Sequence, residues 1–229
     1  MSNPPADAEL ARLLSLAAHE VRNPLSTVLG FIKIVLSRGE LSPQHREWLQ
    51  MAVNSCGRLQ DVANQLSDYA RLLSGETRLS RTQTDLNKVL QDAVDALPVF
   101  ADREITVELT TSGPAPVQAD SGWLKRAMTS VVDALRREVG SNNNLYVQHD
   151  RGDYHGKPAA WIFIGDADQM TVLRQQPKDS LGQFEDKERG NLGLNLWIAK
   201  WVLAAHGGGL WAPPTAPKGG GGIITLPYA

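Results

Sequence analysis

The chain has 229 residues, a net charge of −2, 42% apolar and 21% charged side chains, the composition of a globular protein of one or two domains. A balance this close to neutral excludes nucleic acid or a membrane surface as a partner recognised by bulk charge. The apolar runs fall short of a membrane span, residues 1–10 lack a signal pattern, and the lone Cys56 excludes an internal disulfide, so a cytoplasmic protein is expected.

Residues from about 8 to 74 read as wholly helical. Leu14, Ala17, Val21, Leu25, Val28, Ile32 and Val35 recur at helical spacing, with one slip where Pro24 removes a backbone donor. Trp48, Ala52, Ser55, Leu59, Val62, Leu66, Tyr69 and Leu73 then alternate in steps of four and three, a heptad seam. Gly39 ends the first run and Ser42-Pro43 opens the second, which makes an antiparallel hairpin. Two helices cannot bury seams of this length, so two copies are expected to pair as a four-helix bundle.

From about residue 86 the pattern changes. Asp85 is placed to cap a short helix from Leu86, and Ile105–Leu109 alternates as a strand. A helix over 121–139, strands near 145–149 and 160–164, a helix over 193–205 and a strand near 223–226 follow. The fold class is therefore α+β, a helical hairpin over residues 1–76 and an α/β sandwich over 77–229. Gly219–Gly222 reads as a turn before the last strand.

The segment Ala18-His19-Glu20-Val21-Arg22-Asn23-Pro24-Leu25 carries the chemistry. His19 is turned by about 200° from Ala17, off the apolar seam and toward solvent or a partner. Periodicity alone leaves a solvated surface histidine equally compatible. A histidine nucleophile needs one ring nitrogen free; Glu20 beside it can take the proton of the other, and Asn23, one turn on, can position water or a phosphoryl oxygen. Arg22 reads as a solvated charge or a contact for an acidic partner.

This segment resembles the phospho-accepting box of sensor histidine kinases, His-Glu-(Leu/Ile)-Arg-(Asn/Thr)-Pro-Leu, and the likeness extends over nearly the whole chain. The resemblance implies that residues 1–76 are a dimerisation and histidine-phosphotransfer hairpin. It implies an ATP-binding α/β sandwich of the histidine kinase ATPase type for the remainder. His19 would then be the phosphorylated residue and Glu20 the acid/base, with Glu20 and Asn23 serving in dephosphorylation of a response regulator. A receiver domain and a second copy of the chain are the implied partners.

The resemblance also implies ATP with magnesium, yet the residues that would hold them are altered. Ser130 and Ala134 stand where the family has two asparagines; Ala134 offers no oxygen, and adjacent Asp133 lies about 100° away round the helix. Arg137 keeps a basic position. Asp166 is the candidate adenine-binding aspartate, but Asp168 and Met170 replace the two glycines after it; alternatively, Asp166 caps a strand end. Of the three lid glycines only Gly193 remains in place, with Gly190 before it, and Leu194, Leu196 and Ile198 read as core. His206 reads as a helix-terminal residue whose positive charge suits the dipole. No metal site is expected: His149, Asp150, Asp153 and His155 surround Arg151-Gly152, which reads as a hairpin turn.

Three functions follow. The first is a phosphotransferase-like or degenerate kinase passing phosphoryl groups between His19 and a receiver aspartate. The second is a working ATP-dependent autokinase, and the third a non-catalytic scaffold that binds a response regulator. Trp197 and Trp201, one turn apart, read as packing or as a partner surface.

Overall fold

The computed structural model of the chain describes residues 4–97, 105–139, 144–175, 181–184, 193–213 and 221–229, and divides into two compact units, 1–78 and 79–229. Among the described residues no helix is long and apolar enough to cross a membrane.

The first unit is the antiparallel hairpin, α1 (Pro4–Arg38) and α2 (Pro43–Leu73). Helix α1 continues unbroken through Pro24. Proline there leaves the carbonyl of Glu20 without its amide partner. The Ser26 and Thr27 hydroxyls donate to the carbonyls of Arg22 and Asn23, on the turn that contains it. In the turn, the Gly39 amide donates to the Val35 carbonyl at 2.8 Å. The Ser42 hydroxyl then caps α2 by accepting from the His45 amide at 3.3 Å, with Pro43 at the first helical position.

Small side chains, with Leu25 of the expected seam, close the hairpin. Ala11, Ala18 and Leu25 on α1, seven residues apart, are buried with Cys56, Ala63 and Ala70 on α2, also seven apart. The larger side chains of the predicted seams, Val21, Val28, Val35, Trp48, Leu59 and Val62, remain 42–55% exposed. The two patterns share the same helices but lie about a quarter turn apart. Alanines set the approach of α1 to α2, and the bulky residues form a second apolar face that one hairpin leaves open.

In the second unit, β1 (Thr82–Asp85) pairs antiparallel with β3 (Pro116–Ala119). The main sheet comprises β2 (Val107–Thr111), β4 (Leu145–Tyr154), β5 (Lys157–Gly165), β6 (Gly182–Gln183), β7 (Gly209–Ala212) and β8 (Gly222–Pro227), ordered β2-β4-β5-β8-β7-β6. Only β2 and β4 are parallel. Helices α3 (Leu86–Asp95), α4 (Ser121–Glu138) and α6 (Leu194–Ala205) supply one layer, with α4 packed against both of the others. Asp85 caps α3 as expected, accepting from the Asn87 amide at 3.0 Å. Asp120 caps α4 and also accepts from the Ser80 amide.

A further helix, α5 (Ala167–Gln175), was not expected from the sequence. It covers the other side of the sheet, where Met170 and Leu173 pack on Trp161, Phe163 and Ile223. Phe163 and Ile223 are register partners, so they share that face.

The β4–β5 turn also differs from expectation. Register runs through Gly152↔Ala159 to Tyr154↔Lys157, and the turn is His155-Gly156, at φ 52° and 74°. Two left-handed residues match the twist of the strands, and Gly156 adopts that backbone without strain, which Arg151-Gly152 has no need to do. Of the glycine run, Gly219 and Gly220 lie outside the described residues; Gly221 has φ 75° and Gly222 opens β8.

Candidate functional site

The second α-helical turn after Ala11 brings Ala18 into the hairpin interface at 0% exposure, and this fixes the direction of its neighbour. His19, about 100° farther round α1, is exposed. Val21 and Val28, on the open apolar face, project about 160–180° away from it, so covering that face leaves the imidazole accessible.

The ring has a bonded neighbour. Asn23 Nδ2 lies 3.2 Å from His19 Nδ1. With the amide nitrogen toward the ring, Nδ1 accepts and Nε2 carries the proton. Turning the amide over makes its oxygen accept from Nδ1–H and leaves the Nε2 lone pair outward. The same contact therefore serves either tautomer. Glu20 is exposed and, among the described residues, forms no hydrogen bond to the ring. Arg22 has a different place from the one expected. Its Nη2 donates to Asn64 Oδ1 at 3.1 Å and Ser67 Oγ at 3.2 Å, tying α1 to α2.

The positions aligned with a nucleotide site are occupied by internal contacts. Ser130 donates its hydroxyl to the Arg126 carbonyl, and Ala134 is buried. Asp133 accepts from Arg136 Nη2 at 2.9 Å on one oxygen and from Arg137 Nη2 at 2.6 Å on the other. Its carboxylate is engaged within its own helix face rather than extended from it.

Asp166 and Gln169 form a reciprocal capping box at the start of α5. Asp166 Oδ1 accepts from the Gln169 amide and Gln169 Oε1 from the Asp166 amide, both at 2.9 Å. Asp168 and Met170, which replace the family's glycines, both lie within α5. A methyl group added at Gly165 would approach Gln169 Cβ to 2.8 Å, so this corner admits only glycine as packed. Gly193 precedes α6 with φ 82°, and Leu196 and Ile198 are buried as core. Gly190 lies outside the described residues. Fully buried Phe184, which the sequence did not single out, sits near Gly222 and accepts on its carbonyl from Lys200 Nζ. Trp197 is half exposed with Lys200 Nζ 5.4 Å from its ring centroid.

Burial lowers the pKa of two histidines. His206 Nε2 accepts from the Asp120 amide at 3.0 Å while Nδ1 faces the Val202 carbonyl at 2.7 Å. A proton on both nitrogens would forfeit the first bond. Burial lowers its pKa, so the expected cationic helix terminus is corrected. His149 is buried between Asn87 Oδ1 and the Tyr228 hydroxyl, each 2.9 Å away. Asn87 gives its amide hydrogens to the Gly113 carbonyl, which turns its oxygen toward His149 Nδ1–H. Burial lowers the His149 pKa as well. Asp150 pairs instead with Arg174 at 3.1 Å, and among the described residues no cluster of three His, Cys, Asp or Glu side chains forms a metal-holding group.

Residues 9–75 match the His Kinase A (phospho-acceptor) domain family. The chain is 27% identical over 206 residues to histidine protein kinase DivJ of Caulobacter vibrioides, covering 86% of this chain and 34% of that protein. It is 24% identical to sensor histidine kinase ZraS of Escherichia coli K12, covering 95% and 45% of the two chains. Full-length ShkA, solved in complex with AMPPNP, shares the fold at TM-score 0.67 and 20% identity over 95% of this chain and 46% of that one. Acinetobacter baumannii histidine kinase AdeS shares it at TM-score 0.57 and 17% identity, over 92% and 97%. The chain spans about a third to a half of the length of these curated relatives.

Proposed function

We propose that this chain, a histidine kinase core whose residues 9–75 are a His Kinase A (phospho-acceptor) domain, carries phosphoryl groups on His19 in two-component signalling. It exchanges them with the aspartate of a response-regulator receiver domain. The observation that carries this reading is the Asn23–His19 contact on an exposed stripe of α1, turned away from the open apolar face.

The chemistry follows from the ring. His19 Nε2 attacks the phosphorus of the receiver's acyl phosphate; the N–P bond forms, the P–O bond to aspartate breaks, and the carboxylate leaves. The Asn23 amide oxygen holds Nδ1–H so that the Nε2 lone pair faces outward. The Nδ1 proton stays on the ring, and the negative charge of the neighbouring Glu20 offsets the positive charge that develops there. Return of the phosphoryl group to a receiver reverses these bonds. Asn23, freed from the ring, positions a water for attack on phosphoaspartate, so the same face supports dephosphorylation.

Residues 1–76 act as a homodimer, pairing the open apolar faces into a four-helix bundle. Residues 77–229 serve as a docking and supporting domain. The buried free thiol of Cys56 accords with a cytoplasmic location.

The second domain binds ATP and magnesium weakly or not at all in this reading. Ala134 has no ligand atom, Asp133 is already paired with two guanidinium groups, and Asp166 caps α5. Asp168 and Met170 stand where the family has two glycines, and Gln169 between them is engaged in the cap of α5. These residues do not fit the group, and no step of the transfer is routed through it.

Calorimetric titration of the full chain with ATP and magnesium tests this assignment. The expected result is no saturable binding at millimolar nucleotide. Saturable binding with phosphate appearing on His19 would establish the autokinase instead, and unchanged signalling by His19→Ala would establish a scaffold.

A further inference from the structure

A cavity of about 560 Å³ lies beside His19 in the hairpin, and its lining includes Arg12, Ser15 and His19 of α1, Arg71 and Ser74 at the end of α2, and Glu76. Ser15 and Arg12 precede His19 by one and two turns, on the same stripe within about 40°. A helical side chain leans toward its own N-terminus, so the imidazole tilts toward this cavity. The stripe is remote from Val21 and Val28, and pairing of two copies through that face leaves the cavity open.

Neither guanidinium has a partner among the described residues. Arg71 is accounted for in part by its position, since a cation in the last turn of α2 suits the helix dipole. No such account covers Arg12, well inside α1. Glu9 stands one turn before it, yet the two form no ion pair among the described residues. Two unpaired guanidinium groups and two hydroxyls against one carboxylate give the cavity a net positive lining. Guanidinium presents paired N–H donors in the geometry of two phosphoryl oxygens.

We propose that Arg12 and Arg71 hold the oxygens of a dianionic phosphoryl group at His19. They position the group for in-line transfer and stabilise its charge after the N–P bond has formed. This rests on the reading of His19 as a phosphoryl carrier and adds the anion site that such a carrier uses. Ser15 donates its hydroxyl hydrogen to the same oxygens, whereas the Ser74 hydroxyl donates to the Arg71 carbonyl at 3.2 Å, and Glu76 sets the polar edge of the site.

The test is titration of the full chain with inorganic phosphate, followed by the NMR signals of the His19 ring, in wild type, Arg12→Ala/Arg71→Ala and Arg12→Lys/Arg71→Lys. The expected result is a saturable shift in wild type, at least tenfold weaker in the alanine pair and partly restored in the lysine pair. Phosphate that leaves the ring unmoved, or binds the alanine pair equally well, would overturn the proposal. The readout needs no transfer chemistry. An intact phosphate site with a His19 that no donor labels therefore refutes the phosphoryl-carrier reading and leaves an anion site. A His19 that is labelled at the wild-type rate in the alanine pair refutes the arginines.

Discussion

The Asn23 amide lies one turn beyond His19 and meets Nδ1 of its ring at 3.2 Å, which makes an exposed imidazole an oriented one. Asn23 is itself exposed, so its removal leaves the hairpin packing intact. Asn23→Ala is expected to slow phosphoryl transfer to or from a receiver at least tenfold, within the range set by loss of one positioned group at a reacting centre. Helicity and thermal midpoint should stay at wild-type values. Rates from quenched-flow labelling check this, and a wild-type rate would contradict the role assigned to the amide.

The open apolar face makes a separate prediction about assembly. Val28 and Val62 are 49% and 42% exposed in one hairpin, on the two stripes that a second copy is proposed to cover. Val28→Glu/Val62→Glu places two unpaired carboxylates per copy in that interface, each costly to bury. Sedimentation should find a dimer in wild type and a monomer in the double variant. A dimer of unchanged affinity would show that another surface pairs.

Helix α5 is held by packing as well as by its capping box. Met170 is 6% exposed among Trp161, Phe163, Leu173 and Ile223. Met170→Ala is expected to destabilise the second unit by about 3 kcal/mol, the range for a buried methionine truncated to alanine. Denaturant unfolding monitored by tryptophan fluorescence measures it. A change below about 1 kcal/mol would mean that the side chain is not part of the core.

The amino-acid sequence disclosed the hairpin and most of the sheet because both repeat. A seven-residue repeat does bury α2, although through Cys56, Ala63 and Ala70 rather than the expected seam, and Ile105–Leu109 differs from β2 by only two residues at each end. What it concealed follows from size and context. Hydrophobic pattern weights Val28 and Trp48 above Ala18 and Ala63, yet close approach of two helices demands the smaller pair. Asp166 and Gln169 are three apart, a capping-box spacing, but an aspartate after a strand is equally compatible with a strand-end cap until the helix behind it is seen. Strands β1 and β3 have four residues each, too few for alternation to register. The outward direction of His19 was legible from its angle to the expected seam, although the residue buried beside it is Ala18 rather than Ala17, which is exposed. The charge state of His206 was not, since its proton balance depends on an amide 86 residues away.

His149 and His206 give the second unit a dependence on pH. Burial lowers both folded pKa values below the ordinary 6.5. Between the lowered and the ordinary values, the unfolded chain binds more protons than the folded one, so unfolding free energy rises with pH there. The stabilising difference is complete above about pH 6.5 and is lost as pH falls through that window. Thermal midpoints from pH 8 to pH 5 should fall. His149→Gln/His206→Gln should flatten the decline, because neither side chain can be protonated. A midpoint that rises on acidification would reverse the sign.

Transfer of labelled phosphate from a phosphorylated receiver domain to the full chain, with ATP and magnesium as a parallel donor, tests the central claim most directly. The account predicts acid-labile label on His19 from the receiver, none from ATP, and none on His19→Gln from either. Label that arrives from ATP alone, or a His19 that remains unlabelled beside every phosphorylated receiver tried, would contradict it.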